Sequence, residues 1–245
     1  ELTLYLVFLR PLGLRLHIKL RGGSVSMLQL RFLLDWNFSS SENISFDDPQ
    51  VFDRYFPPKE FHDGNMAVQI VSSGPDTGQD SIKNGYLKMI TDAKETIYIQ
   101  TPYLIPDETM LQSLRIAAAS GVDVRVMVPG VPDKNFVYAI TLSYIEELLR
   151  AGARVYLHKG FIHSKTIVMD ELASSVGTTN FDIRSFSLNY EVNAFIYDEG
   201  FAARCKEVFR QDMDDCIEMT WEEFKKRGIG TRMIESICRL LAYIS

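Results

Sequence analysis

A histidine and a lysine two residues apart, His163 and Lys165, lie in a β-branched run. Asp170 follows, and then Gly177-Thr178-Thr179-Asn180. The pattern is H-x-K-x4-D-x6-G-T-x-N. On a strand, residues two apart face the same side, so an imidazole and an ammonium would project together. A neutral imidazole is a competent nucleophile or base near pH 7. Lysine supplies a compact positive charge with three donors for a phosphate oxygen. Gly177 allows backbone to approach a ligand closely. Thr178 and Asn180 offer a hydroxyl and an amide to the other phosphate oxygens. Fixed donors aimed at developing charge are the main device of phosphoryl transfer. Glu191, in the run Asn189–Tyr197, is the candidate partner for one nitrogen of the histidine ring. The competing reading makes it an ordinary edge-strand glutamate.

Strands and helices in alternation must position these residues. Strands are expected at 66–71, 96–101, 122–128, 154–157, 162–169 and 190–197. Between them Ile82, Tyr86, Leu87 and Ile90 have helical spacing. So do Leu111, Leu114, Ala117 and Ala118, closed by Gly121, and the series from Phe136 to Leu149, closed by Gly152. Such alternation means an α/β layered fold. The first 20 residues read as extended, with Leu12, Leu14, Leu16, Ile18 and Leu20 alternating with polar residues or glycine. Ser24 is expected to cap a helix reaching about Asn37. The stretch 38–64, with Ser39-Ser40-Ser41, Asp47-Asp48-Pro49 and Pro57-Pro58, reads as a linker. The tail from Gly200 on reads as helical and amphipathic.

The chain has 245 residues, a net charge of -6 and a pI of about 5.3, a balance that disfavours nucleic acid as partner while leaving room for a local basic site. Cys205, Cys216 and Cys238 form no CxxC pair and read as reduced thiols. The early apolar run Leu2–Leu9 is far shorter than the roughly 20 residues a membrane-crossing helix needs. It also lacks the marks of a signal peptide. An amphipathic contact with a membrane surface stays open. Lys225, Lys226, Arg227 and Arg232 could touch anionic headgroups, although interleaved acidic residues also fit a solvated helical face.

The H-x-K-x4-D and G-[ST]-x-N pattern resembles the phospholipase D superfamily. The stretch Asn180-Phe-Asp182-Ile-Arg184-Ser185-Phe186-Ser-Leu188-Asn189-Tyr-Glu191-Val-Asn193 is similar to the bacterial cardiolipin synthases in particular. So are Gln100-Thr101-Pro102-Tyr103-Leu-Ile-Pro106 and Leu28-Gln29-Leu30-Arg31-Phe32 running to Asp35-Trp36. The resemblance implies a phospholipase-D-like layered fold, a mixed β-sheet flanked by helices. It implies a remnant of a first such domain at 1–45, a linker at 46–64 and a second domain with a helical tail at 65–245. It further implies a phosphatidyltransferase that joins two phosphatidylglycerols into cardiolipin and glycerol. One motif histidine becomes a phosphohistidine and the other serves as general acid and base, with no metal or other cofactor. His163, Lys165, Asp170 and Glu191 match the catalytic positions, and Lys165, Gly177, Thr178 and Asn180 the phosphate-binding ones. Asp170 is expected to act structurally, since a carboxylate after a strand readily takes backbone donors. The implied setting is the cytoplasmic membrane of bacteria.

The family uses two motifs per site, and this chain has one. His17-Ile-Lys19 imitates a second, but Ser24 stands where its aspartate would. His62 and His158 read as surface residues, with His158 close enough in sequence to line the site. Residues 1–11 depart from the family, which reads as a disrupted or truncated first half. The partner would then be a missing N-terminal half or a second copy. Two alternatives stand beside the transferase: a single-motif phosphodiesterase or nuclease acting as a homodimer, and an inactive remnant that only binds anionic lipid.

Overall fold

The computed structural model describes residues 3–9, 13–56 and 64–240. β1 (Thr3–Leu9) pairs antiparallel with β2 (Gly13–Lys19). Leu16, Ile18 and Leu20 pack inward while His17 and Lys19 are exposed, the period-2 alternation expected of a strand. Gly22, at φ 92°, turns the chain into α1 (Gly23–Ser39). The expected Ser24 cap is not used. Gly22 is the N-cap, and its positive φ is one that only glycine adopts at no steric cost.

The stretch expected as a linker contains α2 (Pro49–Tyr55). Asp48 accepts from the Gln50 N–H at 2.9 Å, and Pro49 occupies the first turn, where its missing donor costs nothing. The proline and acidic residues that look like loop punctuation are a helix start. His62 lies outside the described residues.

The elements that follow are β3 (Ala67–Ser73), α3 (Ser81–Asp92), β4 (Thr96–Gln100), β5 (Leu104–Ile105), α4 (Glu108–Ala119) and β6 (Asp123–Pro129). Next come α5 (Asn135–Arg150), β7 (Arg154–His158), β8 (Thr166–Met169), β9 (Ala173–Gly177), β10 (Phe181–Asp182) and α6 (Ile183–Ser187). The chain then forms β11 (Glu191–Tyr197), α7 (Glu199–Asp212), β12 (Cys216–Met219), α8 (Trp221–Lys226) and α9 (Ile229–Leu240). Eight strands form one sheet in the order β12-β7-β6-β4-β8-β9-β11-β3. β4, β6 and β7 run parallel and the other neighbours antiparallel, so the sheet is mixed.

Period-2 burial sorts the two faces. Ile97, Ile99, Val124, Val126 and Ile167 point into one core with Ile82, Tyr86, Leu114 and Ile145 of α3, α4 and α5. On the other face Val168 packs with Ala202 and Cys205 of α7, and Tyr98, Met127 and Tyr156 pack with its Phe209. The sheet is therefore covered by helices on both sides, the α/β layered arrangement expected. The tail differs from expectation: β12 is a strand and pairs with β7 on the sheet edge.

Candidate active site

The parallel strands β4, β6 and β7 end at Gln100, Pro129 and His158, along one margin of the sheet. Ligands of open α/β sheets gather outside such carboxyl ends. The antiparallel strands bring the motif to the same margin. Thr166, at the start of β8, stands opposite Gln100 and Val176, and Gly177 at the end of β9 stands opposite Asn193.

The strand expected at 162–169 keeps ladder pairing only from Thr166, with a single bridge at Ile162. The alternation nevertheless continues outward: Ile162 and Ser164 are buried, His163 is exposed and Lys165 is half-buried. His163 and Lys165 thus lean to the same side, and the Lys165 Nζ donates to the His163 carbonyl at 3.0 Å. An ammonium carries three donors, so this bond is compatible with a second one to a ligand oxygen. The Gly177 N–H donates to the Lys165 carbonyl, holding the lysine arm against the Gly177–Asn180 arm.

Glu191, at the start of β11, sits beside the Thr178 end of the second arm. Its carboxylate accepts from the Thr178 hydroxyl and, at 3.4 Å, from the Asn189 amide. Burial pushes its pKa up, and the hydrogen bond from Thr178 opposes that shift. A carboxylate poised in this way can accept a proton or hold a charged ring.

Two site residues, Gly177 and Thr178, are used differently from what their spacing suggests, while Asp170 takes backbone donors as expected. Gly177 makes its close approach to Asn193 and the Val192 carbonyl rather than leaving room for a ligand. A Cβ there would collide with Asn193 Oδ1 and lie 2.5 Å from Val192 O. The Thr178 hydroxyl, expected on phosphate, already donates to Glu191 and accepts from the Val192 N–H at 3.0 Å. Asp170 sits beyond the far end of β8, in a hairpin turn where it and Glu171 both have positive φ. Its carboxylate accepts from the N–H groups of Lys94, Glu95 and Thr96 at 2.6, 2.9 and 2.6 Å.

Asn180 lines a cavity of about 380 Å³ together with Tyr103, Lys134, Asp182, Arg184 and Asn189. Its Oδ1 is buried and takes no hydrogen bond among the described residues. Lys134 and Arg184 bring positive charge to this cavity, and Asp182 brings a buried carboxyl group. His158 stands at the end of β7, its Nδ1 accepting from the Gly160 N–H at 3.0 Å. His17 lies on the exposed face of β2. Among the described residues no group of three or more His, Cys, Asp or Glu side chains could hold a metal ion.

A clamp behind the site goes undetected in the sequence. Gln100 accepts from the Thr166 hydroxyl at 3.3 Å and donates to the buried carboxylate of Asp212 at 2.6 Å. Its neighbour Thr101 accepts from the Phe181 N–H at 2.9 Å. Adjacent residues of one strand thereby fix the root of the His163–Lys165 arm and the root of the Thr178–Asn180 arm. The Gln100-Thr101 dipeptide stands out by its family resemblance, but Asp212 carries no local signal.

Burial raises the Asp212 pKa from 3.8 to about 6, against the hydrogen bond from Gln100. The folded state thus binds this proton more tightly than the unfolded chain does. The stability is present below pH 4 and is lost as pH rises through about 6. Asp212→Asn keeps an acceptor for Gln100 and removes the titration. Relative to the variant, the parent should lose on the order of 2–3 kcal/mol between pH 4 and 8, from about two pKa units at 1.36 kcal/mol each. Denaturant melts of both proteins across that range measure the difference. Parallel curves would refute the assignment.

The family described as "Cardiolipin synthase, PLD-like domain" matches residues 86–213, a span that includes the whole H-x-K and G-T-x-N pattern and Glu191. The chain is 50% identical over 229 residues to the major cardiolipin synthase of Bacillus subtilis, with 93% of this chain and 46% of that protein aligned. It is 48% identical over 230 residues to a cardiolipin synthase of Clostridium perfringens strain 13, with 92% and 48% aligned. The chain therefore spans about half the length of these relatives. Among solved structures, the phosphatidylserine synthase of Haemophilus influenzae superposes with a TM-score of 0.68 at 13% identity, covering 95% of this chain and 62% of that one. Nuc of Salmonella typhimurium, a phospholipase D family member, superposes with a TM-score of 0.54 at 20% identity, covering 64% and 99%. At those identities the likeness is one of fold.

Proposed function

Because this chain belongs to the cardiolipin synthase family of phospholipase-D-like domains, we propose that it is a phosphatidyltransferase half-site that makes cardiolipin from phosphatidylglycerol. The reading rests on one observation above the others. The His163–Lys165 arm and the Thr178–Asn180 arm leave neighbouring strands side by side, with Glu191 alongside.

In the proposed reaction an imidazole nitrogen attacks the phosphorus of a first phosphatidylglycerol. The bond from phosphorus to the glycerol headgroup oxygen breaks, and that oxygen takes a proton from the histidine of a second motif. The intermediate is a phosphohistidine. A hydroxyl of a second phosphatidylglycerol then attacks the phosphorus, the P–N bond breaks, and the same second histidine takes the hydroxyl proton. His163 fills one of these two roles. Lys165 and Asn180 bind the non-bridging oxygens, Glu191 orients an imidazole through its raised-pKa carboxylate, and Asp170 positions the motif strand. Fixed donors meet the charge that develops around phosphorus, and such preorganised stabilisation supplies most of the acceleration in phosphoryl transfer.

The second motif comes from the companion domain or from a second copy. α1 offers a surface for it: Phe32, Trp36 and Phe38 are exposed, and Phe38 and Arg31 lie against Tyr190, the residue before Glu191. Aromatic and arginine side chains are the types that anchor protein interfaces. In this reading 1–45 belongs to the companion domain and 65–245 carries the catalytic unit.

The test is to mix the protein with phosphatidylglycerol vesicles and read products by mass spectrometry. Cardiolipin with released glycerol is expected where a second copy, or an added companion domain, supplies the other histidine. Phosphatidic acid alone would make it a hydrolase. DNA nicking without lipid turnover, by a stable homodimer, would move it to the nuclease alternative.

A further inference from the structure

Helix α9 is inside out. A surface helix normally turns its apolar stripe to the core and its charges to water. Here the charges face the protein. Arg232 pairs with Glu146 of α5 at 2.8 Å, and Arg239 pairs with Glu147 while lying 4.1 Å over the Tyr144 ring. Glu235 is buried and pairs with Arg227. The opposite face carries Ile229, Met233, Ile234, Ile237 and Leu240, all exposed, the first and last at 79%. At 100° per residue these five fall within one arc, so they form a single stripe. Ion pairs on the inner face prevent the helix from rolling over to hide it.

The extent and chemistry of this stripe decide between a protein and a lipid cover. The stripe offers five side chains, 56–79% exposed, against the roughly 20–30 residues a side of a standard protein interface. Four are branched aliphatic and the fifth is Met233, and none is a Trp, Tyr or Arg anchor of protein hot spots; α1, by contrast, exposes aromatic residues. An apolar stripe one helix wide, on a helix held flat against its domain, is suited to the boundary between headgroups and acyl chains. Lys225 and Lys226, exposed on the preceding helix, suit an anionic surface, with Glu222 and Glu223 one turn before them.

We propose that α9 docks the domain on an anionic phospholipid surface, its apolar stripe entering the bilayer interface while its charged face stays fixed to α5. The choice of lipid rests in part on the transferase reading above. Docking gives the site a way to meet a substrate that never leaves the bilayer.

The test is co-sedimentation with vesicles of equimolar phosphatidylglycerol and phosphatidylcholine. The double variant Met233→Asp/Ile237→Asp should bind at least about tenfold more weakly than the parent, with an unchanged melting curve because both side chains are exposed. His163→Ala should bind like the parent. In an Ile237→Trp variant, the added emission should shift to the blue with vesicles and be quenched by brominated acyl chains. Unchanged binding of the double variant overturns the proposal, as does an Ile237→Trp emission indifferent to vesicles. A light-scattering mass that falls from dimer to monomer in the double variant, with vesicle binding intact, would assign the stripe to a second copy instead. Vesicle binding by α9 without any lipid product would leave the docking standing and remove the transferase reading.

Discussion

Replacing His163 with alanine should lower cardiolipin formation by at least about 100-fold, the floor for losing a general acid or base, and further still if His163 is the nucleophile. The reason is placement. His163 is exposed at the sheet margin, beside Lys165 and one strand from the Thr178–Glu191 pair. Its removal opens no core cavity, so the melting temperature should stay within a few degrees of the parent. Loss of product with the fold intact is the signature to seek. Trapping then separates the two roles: if His163 is the nucleophile, brief incubation with phosphatidylglycerol should leave an acid-labile phosphatidyl adduct on the parent and none on the variant. With the companion domain supplying the other histidine, an adduct surviving in the variant would assign His163 to the acid–base role; in a pair of identical copies the variant loses both roles and forms no adduct. Activity within about threefold of the parent would remove His163 from the chemistry, since general acid–base catalysis typically contributes about 10²–10⁴-fold.

How much of the molecule is legible in the sequence depends on how local each signal is. His163, Lys165, Thr178, Asn180 and Glu191 stand out because strand periodicity and family spacing are properties of short runs. Even so, spacing does not reveal that the Thr178 hydroxyl serves Glu191, nor that Gly177 makes room for Asn193, since both contacts cross between β9 and β11. β9 itself escapes notice because Ala173-Ser-Ser-Val176 is short and mostly small or polar, and its strand state comes from pairing on both sides. Asp212 is unreadable for a stronger reason. It sits 112 residues from Gln100, at the end of an amphipathic helix where an acidic residue is ordinary. β12 is absorbed into a helical tail because four residues cannot establish a period of their own. The inverted face of α9 shows the same limit from the other side: the amphipathic pattern is plain in the sequence, but which face meets the protein is decided by Glu146 and Glu147 on α5.

Asp170→Ala is expected to destabilise the protein by about 3 kcal/mol while leaving the chemistry of the folded fraction largely intact. Three backbone N–H groups, from Lys94, Glu95 and Thr96, lose their acceptor at once. A hydrogen bond to a charged group contributes about 1.5–3 kcal/mol, and the three share one carboxylate, so the sum falls below simple addition. The backbone adds to the cost, because position 170 has φ 50° and alanine tolerates that region less well than aspartate. For a chain of this size about 3 kcal/mol lowers the melting temperature by roughly 6–12 °C. The three donors immediately precede and begin β4, the strand whose other end holds Gln100 and Thr101, so damage would reach the site as lost register rather than lost chemistry. The discriminating measurement is turnover per folded molecule well below the melting point. A catalytic role would lower kcat by orders of magnitude even there. A positioning role predicts kcat within about tenfold, with a heat-inactivation curve displaced to lower temperature. Asp170→Asn would retain an acceptor and the turn preference, and should recover part of the lost stability.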